Sequence, residues 1–172
     1  MLDLGCNTGD YSFLAAGCGA RVIAADKDHD AIELLYRRLR NSRAPIAPVV
    51  VDLMSPSPGL GFRNREHPSF LGRAGGECVL ALALVHHLIV SGNLSPGAIC
   101  DQLFDLSERD LVVEYVPSED PMFRRLLAGR TERFDELTLP KFRERFQRRF
   151  HLLREADIPN SRRTLLFFRK RT

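Results

Sequence analysis

Residues 2–12 of the chain, Leu2-Asp3-Leu4-Gly5-Cys6-Asn7-Thr8-Gly9-Asp10-Tyr11-Ser12, decide the fold. They join an apolar strand over residues 1–4 to a helix beginning near Asp10, through a tight turn at the strand's carboxyl end. Open α/β sheets bind ligands at such a strand end. Gly5 and Gly9 allow the backbone to approach a ligand closely, and the amides of the turn, with the helix N-terminus, favour a carboxylate or another anion. The spacing is Gly-x-x-x-Gly, with Asn7 where a dinucleotide-binding Gly-x-Gly-x-x-Gly has its second glycine. Asn tolerates a left-handed backbone, so the turn survives the exchange. Cys6 reads as a small packing residue that presents its amide, not as a nucleophile.

Outward from this turn, apolar segments alternate with segments of helical period, the pattern of an α/β fold with a largely parallel sheet. A second strand over residues 21–25 ends at Asp26. Asp28 caps the next helix, in which Ile32, Leu35, Tyr36 and Leu39 share one buried face opposite Arg37, Arg38 and Arg40. A third strand over residues 46–51 ends at Asp52. The nearly all-apolar run 78–85 predicts a fourth strand at the sheet's centre. Between them, residues 53–76 hold Pro56, Pro58, Pro68 and five glycines and read as a long functional loop. Ser95 and Pro96 start a helix with Ile99, Leu103, Phe104 and Leu106 inward, leading to a fifth strand near 111–116. Further helices are expected near 121–130 and 140–149, before a β-rich end that includes 164–168.

A chain of 172 residues fits a single domain spanning 1–172. Its hydrophobic fraction of 44% and charged fraction of 27% are ordinary for a soluble protein. No apolar run nears the ~18 residues of a membrane span, so neither a span nor a signal segment is expected. Cys6, Cys18, Cys78 and Cys100 form no Cys-x-x-Cys pair, which speaks against zinc-ribbon spacing and a disulfide framework and for a reduced, cytoplasmic setting. No metal site is expected. A net charge of +3 does not mark nucleic acid as a partner, and oligomeric state is left open.

Three strand ends now carry ligand-binding groups. Asp26, seventeen positions after Gly9, suits the two hydroxyls of a ribose, and Asp52 suits the exocyclic amine of a purine. In this order the segments resemble the class I, seven-stranded, Rossmann-like S-adenosylmethionine-dependent methyltransferases: 2–9 their first motif, 22–26 the second, 50–53 the third and 77–88 the fourth. The resemblance implies a three-layer α/β fold with a central, mostly parallel sheet and S-adenosyl-L-methionine as cofactor. It implies that Asp3, Gly5, Cys6, Asn7 and Gly9 hold the methionyl part, Asp26 the ribose, and Asp52 with Leu53 the adenine. Ala81, Leu82 and Ala83 would line the cofactor beside the reacting methyl group. It further implies that residues normally preceding the first strand, which cover the cofactor and help form the acceptor pocket, are missing, as expected of a fragment, of a misplaced start, or of a pocket completed by a partner or dimer mate.

His86 and His87 follow the fourth strand where an acceptor would sit, and at most one of two adjacent residues can enter the site. His86 is taken as the candidate base. Glu114 and Tyr115 stay unassigned. Arg124, Arg125 and Arg130, with Lys141, Arg143, Arg145, Arg148 and Arg149, suggest a nucleic-acid face, but Phe142, Phe146 and Phe150 at four-residue intervals favour a helix with a buried aromatic stripe and a solvated basic side. Arg63, Arg65 and His67 in the long loop suit an acidic small substrate or mere solvation. The expectation is methyl transfer to a small-molecule acceptor, with RNA as a possible acceptor. The alternatives are a non-catalytic methyltransferase-like scaffold or RNA-binding module and, behind it, a nicotinamide-dependent oxidoreductase, against which the glycine spacing counts.

Overall fold

The computed structural model describes residues 1–128 and 137–171. The first half winds β1 (Leu2–Leu4), α1 (Asp10–Gly17), β2 (Val22–Asp26), α2 (His29–Arg40) and β3 (Ile46–Val50). After a 3-10 turn at Phe62–Asn64 come α3 (Phe70–Arg73), β4 (Gly76–Ala81), α4 (Val85–Val90), α5 (Pro96–Leu106) and β5 (Ser107–Tyr115). Helices α6 (Pro121–Leu126) and α7 (Leu139–Gln147) then lead to β6 (Phe150–Asp157) and β7 (Thr164–Lys170). One seven-stranded sheet runs in the order β3-β2-β1-β4-β5-β7-β6. Strands β1 to β5 pair in parallel, β7 runs antiparallel to β5, and β6 runs antiparallel to β7.

Helices α2, α5 and α6 begin where a side chain satisfies free backbone amides. The Asp28 carboxylate accepts from the amides of Asp30 and Ala31, Ser95 Oγ from Ala98, and Asp120 from Met122 and Phe123. Pro96 and Pro121 occupy the first helical turn, where a missing N–H is not needed. Strand β1 is buried along its whole length, with Leu2 beside both Ile23 and Val79. Chain order reverses between β1 and β4, and this opens a crevice at their carboxyl ends.

Helix α7 closes the core on one face. Phe142 and Phe146 stack with centroids 4.5 Å apart, Phe146 lies 5.7 Å from Phe168, and Phe150 opens β6 from the same cluster. Each fully buried ring contributes roughly 2–3 kcal/mol. Lys141, Arg145, Arg148 and Arg149 of this region are exposed and Arg143 is half-buried; Arg143 pairs with Glu155, Arg148 with Glu144 and Arg149 with Asp101. The aromatic stripe and its solvated basic side are therefore as expected.

The structure departs from the sequence expectation in five places. Strand β4 ends at Ala81, and the apolar run continues as a turn and the buried helix α4. The left-handed backbone of Ala83 (φ 48°) ends the strand. Tyr36 is exposed, because α2 buries only the narrow stripe of Ala31, Ile32 and Leu35, and Tyr36 lies about 100° further round the helix. Strand β5 begins at Ser107 rather than near Leu111. Helix α6 ends at Leu126 and gives way to a turn at Leu127 and Ala128, while residues 129 and 130 of the expected helix lie outside the described residues. The loop between β3 and β4 carries the short helix α3, whose Phe70 is driven into the core.

Candidate active site

A cleft of about 890 Å³ opens at the carboxyl ends of β1, β2, β4 and β5, within the size range of small-molecule and cofactor pockets. Its floor is the glycine turn. The Gly5 amide donates to the Ala25 carbonyl at 2.8 Å and the Gly9 amide to the Cys6 carbonyl at 2.9 Å. Asn7 takes a left-handed conformation (φ 49°), as do Gly5 (φ 70°) and Gly9 (φ 84°). From outside, Arg38 of α2 donates to the Thr8 carbonyl and, at 2.7 Å, to the Asp10 carboxylate.

Asp3 points from β1 into the cleft although it is 2% exposed. Its carboxylate accepts from Ser12 Oγ at 2.5 Å. Burial raises its pKa, the Ser12 hydrogen bond opposes this, and the nearby Asp26 charge adds to it. The two oxygens of Asp26 accept one backbone amide each, from Asn7 at 2.8 Å and from Asp28 at 3.0 Å. Strand end β2 is thereby tied to the glycine turn. Asp52 accepts from the Met54 amide at 2.9 Å and lines the same wall as Leu53, whose carbonyl accepts from Gln102.

The opposite wall is residues 82–84 with His87 of α4. The Ala83 amide donates to Glu114 Oε2 at 2.9 Å, and Leu84 sits over Gly5, its Cδ1 3.1 Å from where a Cβ on that glycine would stand. Glu114 Oε1 accepts from Arg163 at 3.0 Å. Arg163 also grips both oxygens of Asp120, at 2.7 and 3.0 Å, and holds that carboxyl below the usual carboxylate range. Among the described residues, seven carboxylates on the cleft wall, Asp3, Asp10, Asp26, Asp28, Asp52, Glu114 and Asp120, stand against two cations, Lys27 and Arg163.

Of the residues expected from the sequence, Asp3, Gly5, Cys6, Asn7, Asp26, Asp52, Leu53 and Leu82 line this one cleft. Gly9 and Ala81 do not. Gly9 is packed beneath the turn, where a Cβ would come 2.5 Å from Leu35 Cδ1, and Ala81 is fully buried between neighbouring strands. His86 is directed away from the cleft, buried beside Phe123 with ring centroids 5.9 Å apart. Its Nδ1 has no hydrogen-bond partner among the described residues, and burial, aided by His87 and Arg163, pushes its pKa down to about 4. His87 is the histidine on the cleft wall. Burial and then Lys27 lower its pKa, with Asp26 opposing. Cys6 is buried and its thiol pushed up to about 12, the state of a packing residue rather than a nucleophile. The Tyr115 hydroxyl donates to the Leu137 carbonyl at 2.7 Å. Arg63, Arg65 and His67 are exposed and lie outside the cleft lining.

Ala83, expected beside Leu82, also lines the cleft; sequence reasoning missed the link from Glu114 through Arg163 to Asp120, and Ser12 under Asp3. Arg163 meets its partners across 49 and 43 residues of chain, and nothing in the local pattern announces such a pairing.

No protein-family model matches the sequence. Nodulation protein NoeA of Rhizobium meliloti (strain 1021) is 33% identical over 171 residues, which cover 99% of this chain and 36% of that protein. The chain therefore spans about a third of this relative's length. Magnesium protoporphyrin IX methyltransferase (ChlM) from Synechocystis PCC 6803, solved with bound SAH, superposes with a TM-score of 0.67 at 17% identity, over 99% of this chain and 73% of that one. The chain has the class I methyltransferase fold. The bifunctional kinase-methyltransferase WbdD shares it with a TM-score of 0.60 at 17% identity, over 98% of this chain and 34% of WbdD. A TehB-like SAM-dependent methyltransferase from Corynebacterium glutamicum ATCC 13032 also scores 0.60, at 16% identity, over 99% of this chain and 79% of its own. The resemblance read from the four ordered segments is thus borne out at the level of fold.

Proposed function

We propose that this chain binds S-adenosyl-L-methionine in the cleft and transfers its methyl group to a small-molecule acceptor. The observation that carries the reading is the convergence of the glycine turn, Asp26 and Asp52 on one cleft at the switch point of the sheet. Asp26 faces the ribose hydroxyls, Asp52 and Leu53 the adenine, and the turn with Asp3 the methionyl end. ChlM supports the assignment, since its structures hold SAM and SAH within this fold. When bound, the cofactor supplies an electrophilic methyl carbon on its sulfonium. The protein's share is to orient both partners and keep water out of the cleft, so positioning carries most of the rate.

His87 is the group placed to take a proton from the acceptor. It lines the cleft, and its lowered pKa keeps the imidazole neutral near pH 7, the form that can act as a base. His86, the earlier candidate, is better explained as a packing residue of α4.

A small acceptor fits better than RNA because the cleft wall is predominantly acidic and would repel a polyanion. The pairing of Arg143, Arg148 and Arg149 with carboxylates further weakens the reading as an RNA-binding scaffold. No helix among the described residues is long and apolar enough to cross a membrane. The four cysteines are unpaired, which suits a reducing, cytoplasmic setting.

Isothermal titration of the folded chain with S-adenosyl-L-methionine tests the proposal, expected to give one saturable site. Absence of binding by folded protein would sink it. A methyl-transfer screen of small molecules and RNA in parallel would then assign the acceptor class.

A further inference from the structure

The buried ion-pair cluster beyond the glycine turn joins four pieces of chain distant in sequence. Arg163 lies in the β6–β7 connection, Glu114 near the end of β5, Asp120 at the start of α6, and Ala83 in the turn after β4. Glu114 and Asp120 have 7% of their side chains exposed and Arg163 only 22%, so the pairs are shielded from water and salt. Their geometry leaves little freedom. The guanidinium makes two bonds to Asp120 and one to Glu114, while the second oxygen of Glu114 takes the Ala83 amide.

Ala83 has a left-handed backbone that L-residues other than Asn and Asp rarely adopt. The Glu114 bond compensates for this conformation, and the conformation turns residues 82–84 onto the cleft wall. Leu84 in turn rests on Gly5. A single arginine is thus linked through Glu114 and Ala83 to the turn that faces the methionyl end, and through Asp120 to the start of α6, where Pro121 and Met122 also line the cleft.

We propose that Arg163 is a positioning residue for the methyl-bearing half of the site: through Glu114 it sets Ala83 and Leu84 against the methionyl end, and through Asp120 it sets the first turn of α6. This rests on the methyltransferase reading of the cleft. The ribose and adenine subsites, at Asp26 and Asp52, lie at the end of β2 and just beyond β3, and their hydrogen bonds go to Asn7, Asp28 and Met54, outside the cluster. Loss of the arginine is therefore felt at one half of the ligand and not at the other.

Two probes separate the halves: S-adenosyl-L-methionine spans both, whereas adenosine fills only the second. In the full chain, Arg163→Met is expected to weaken S-adenosyl-L-methionine binding at least tenfold by isothermal titration and to leave adenosine binding, followed by equilibrium dialysis, within about twofold. Arg163→Lys restores the charge without the two-pronged grip and should fall between. Glu114→Gln keeps an oxygen for the Ala83 amide while weakening the arginine contact; it supplies the same comparison should Arg163→Met fail to fold, and its loss should again be confined to S-adenosyl-L-methionine. The proposal is overturned if the folded variants bind S-adenosyl-L-methionine as the unaltered chain does. It is equally overturned if both probes weaken together, the mark of a purely structural role. Failure of the methyltransferase reading looks different, because the unaltered chain would then bind neither probe.

Discussion

Asp26 and His86 show how much one side chain's surroundings decide. Asp26 accepts an amide at each oxygen, from Asn7 and Asp28, so the carboxylate is oriented before any ligand arrives, with lone pairs left over for the cleft. Asp26→Asn turns one acceptor into a donor that faces a backbone N–H. It should lower S-adenosyl-L-methionine affinity by about 10- to 100-fold, the usual loss of one or two hydrogen bonds to a charged group, as isothermal titration would read. His86 makes a prediction about stability. Burial is the main cause that drops its pKa from 6.5 to about 4; His87 and Arg163 add to this and Asp120 opposes it. The unfolded chain binds the proton in that window and the folded chain does not. Stability is therefore complete above about pH 6.5 and falls as the pH is lowered toward 4, by up to roughly 3 kcal/mol. Urea unfolding at about pH 7.5 and about pH 5 should show the loss, and His86→Phe, whose ring can stack on Phe123, should lose less over the same interval. An equal loss in the variant would assign the acid sensitivity to other groups.

At the scale of elements, the join from β1 to α1 is held by packing as much as by hydrogen bonds. Gly9 precedes α1 with φ 84° and lies directly on Leu35 of α2. In Gly9→Ala the new methyl meets Leu35 Cδ1 at 2.5 Å, adding a steric clash to the ~1–2 kcal/mol of a left-handed non-glycine backbone. Gly19 offers the control, because it has φ 90° but nothing within 4 Å of a Cβ. Gly9→Ala should thus destabilise by about 2–4 kcal/mol and Gly19→Ala by only about 1–2 kcal/mol in denaturant titrations. Equal losses would show that Leu35 simply moves aside. The same join explains what was readable beforehand. The acids Asp26 and Asp52 follow from local pattern, since each closes an apolar run before a helix or loop, and Asp3 follows from its place in the short strand ahead of the glycine turn. The end of β4 did not follow, because a short apolar run fits a strand or a buried helix equally well by period. What split it at Ala83 is a hydrogen bond to Glu114, a residue 31 positions away.

For the whole molecule, order along the chain was enough to foresee the sheet and one end of its cleft, whereas the wall that carries Glu114, Asp120 and Arg163 depends on the β6–β7 hairpin returning to β5. Arg163 comes to Glu114 only because β7 pairs antiparallel with β5, setting Thr164 beside Tyr115. That return also determines the cleft's electrostatics. The chain carries a net charge of +3, yet among the described residues seven carboxylates line the cleft against two cations, while much of the basic surface sits on α7 and beyond. A ligand entering therefore meets the opposite sign from the one the whole protein displays. S-adenosyl-L-methionine, with its sulfonium, ammonium and carboxylate, arrives with one net positive charge and is drawn in; an oligonucleotide is drawn to the outer surface and repelled at the mouth. Raising salt from about 50 mM to about 500 mM shortens the reach of these fields from over 10 Å to roughly 4–5 Å. Affinity for S-adenosyl-L-methionine should fall severalfold over that range. At the low-salt end, a uridine-rich RNA oligonucleotide should leave the bound cofactor in place even where it associates with the protein. Displacement of the cofactor by that RNA, measured by competition titration, would reverse the choice of a small acceptor and turn attention to the basic face of α7.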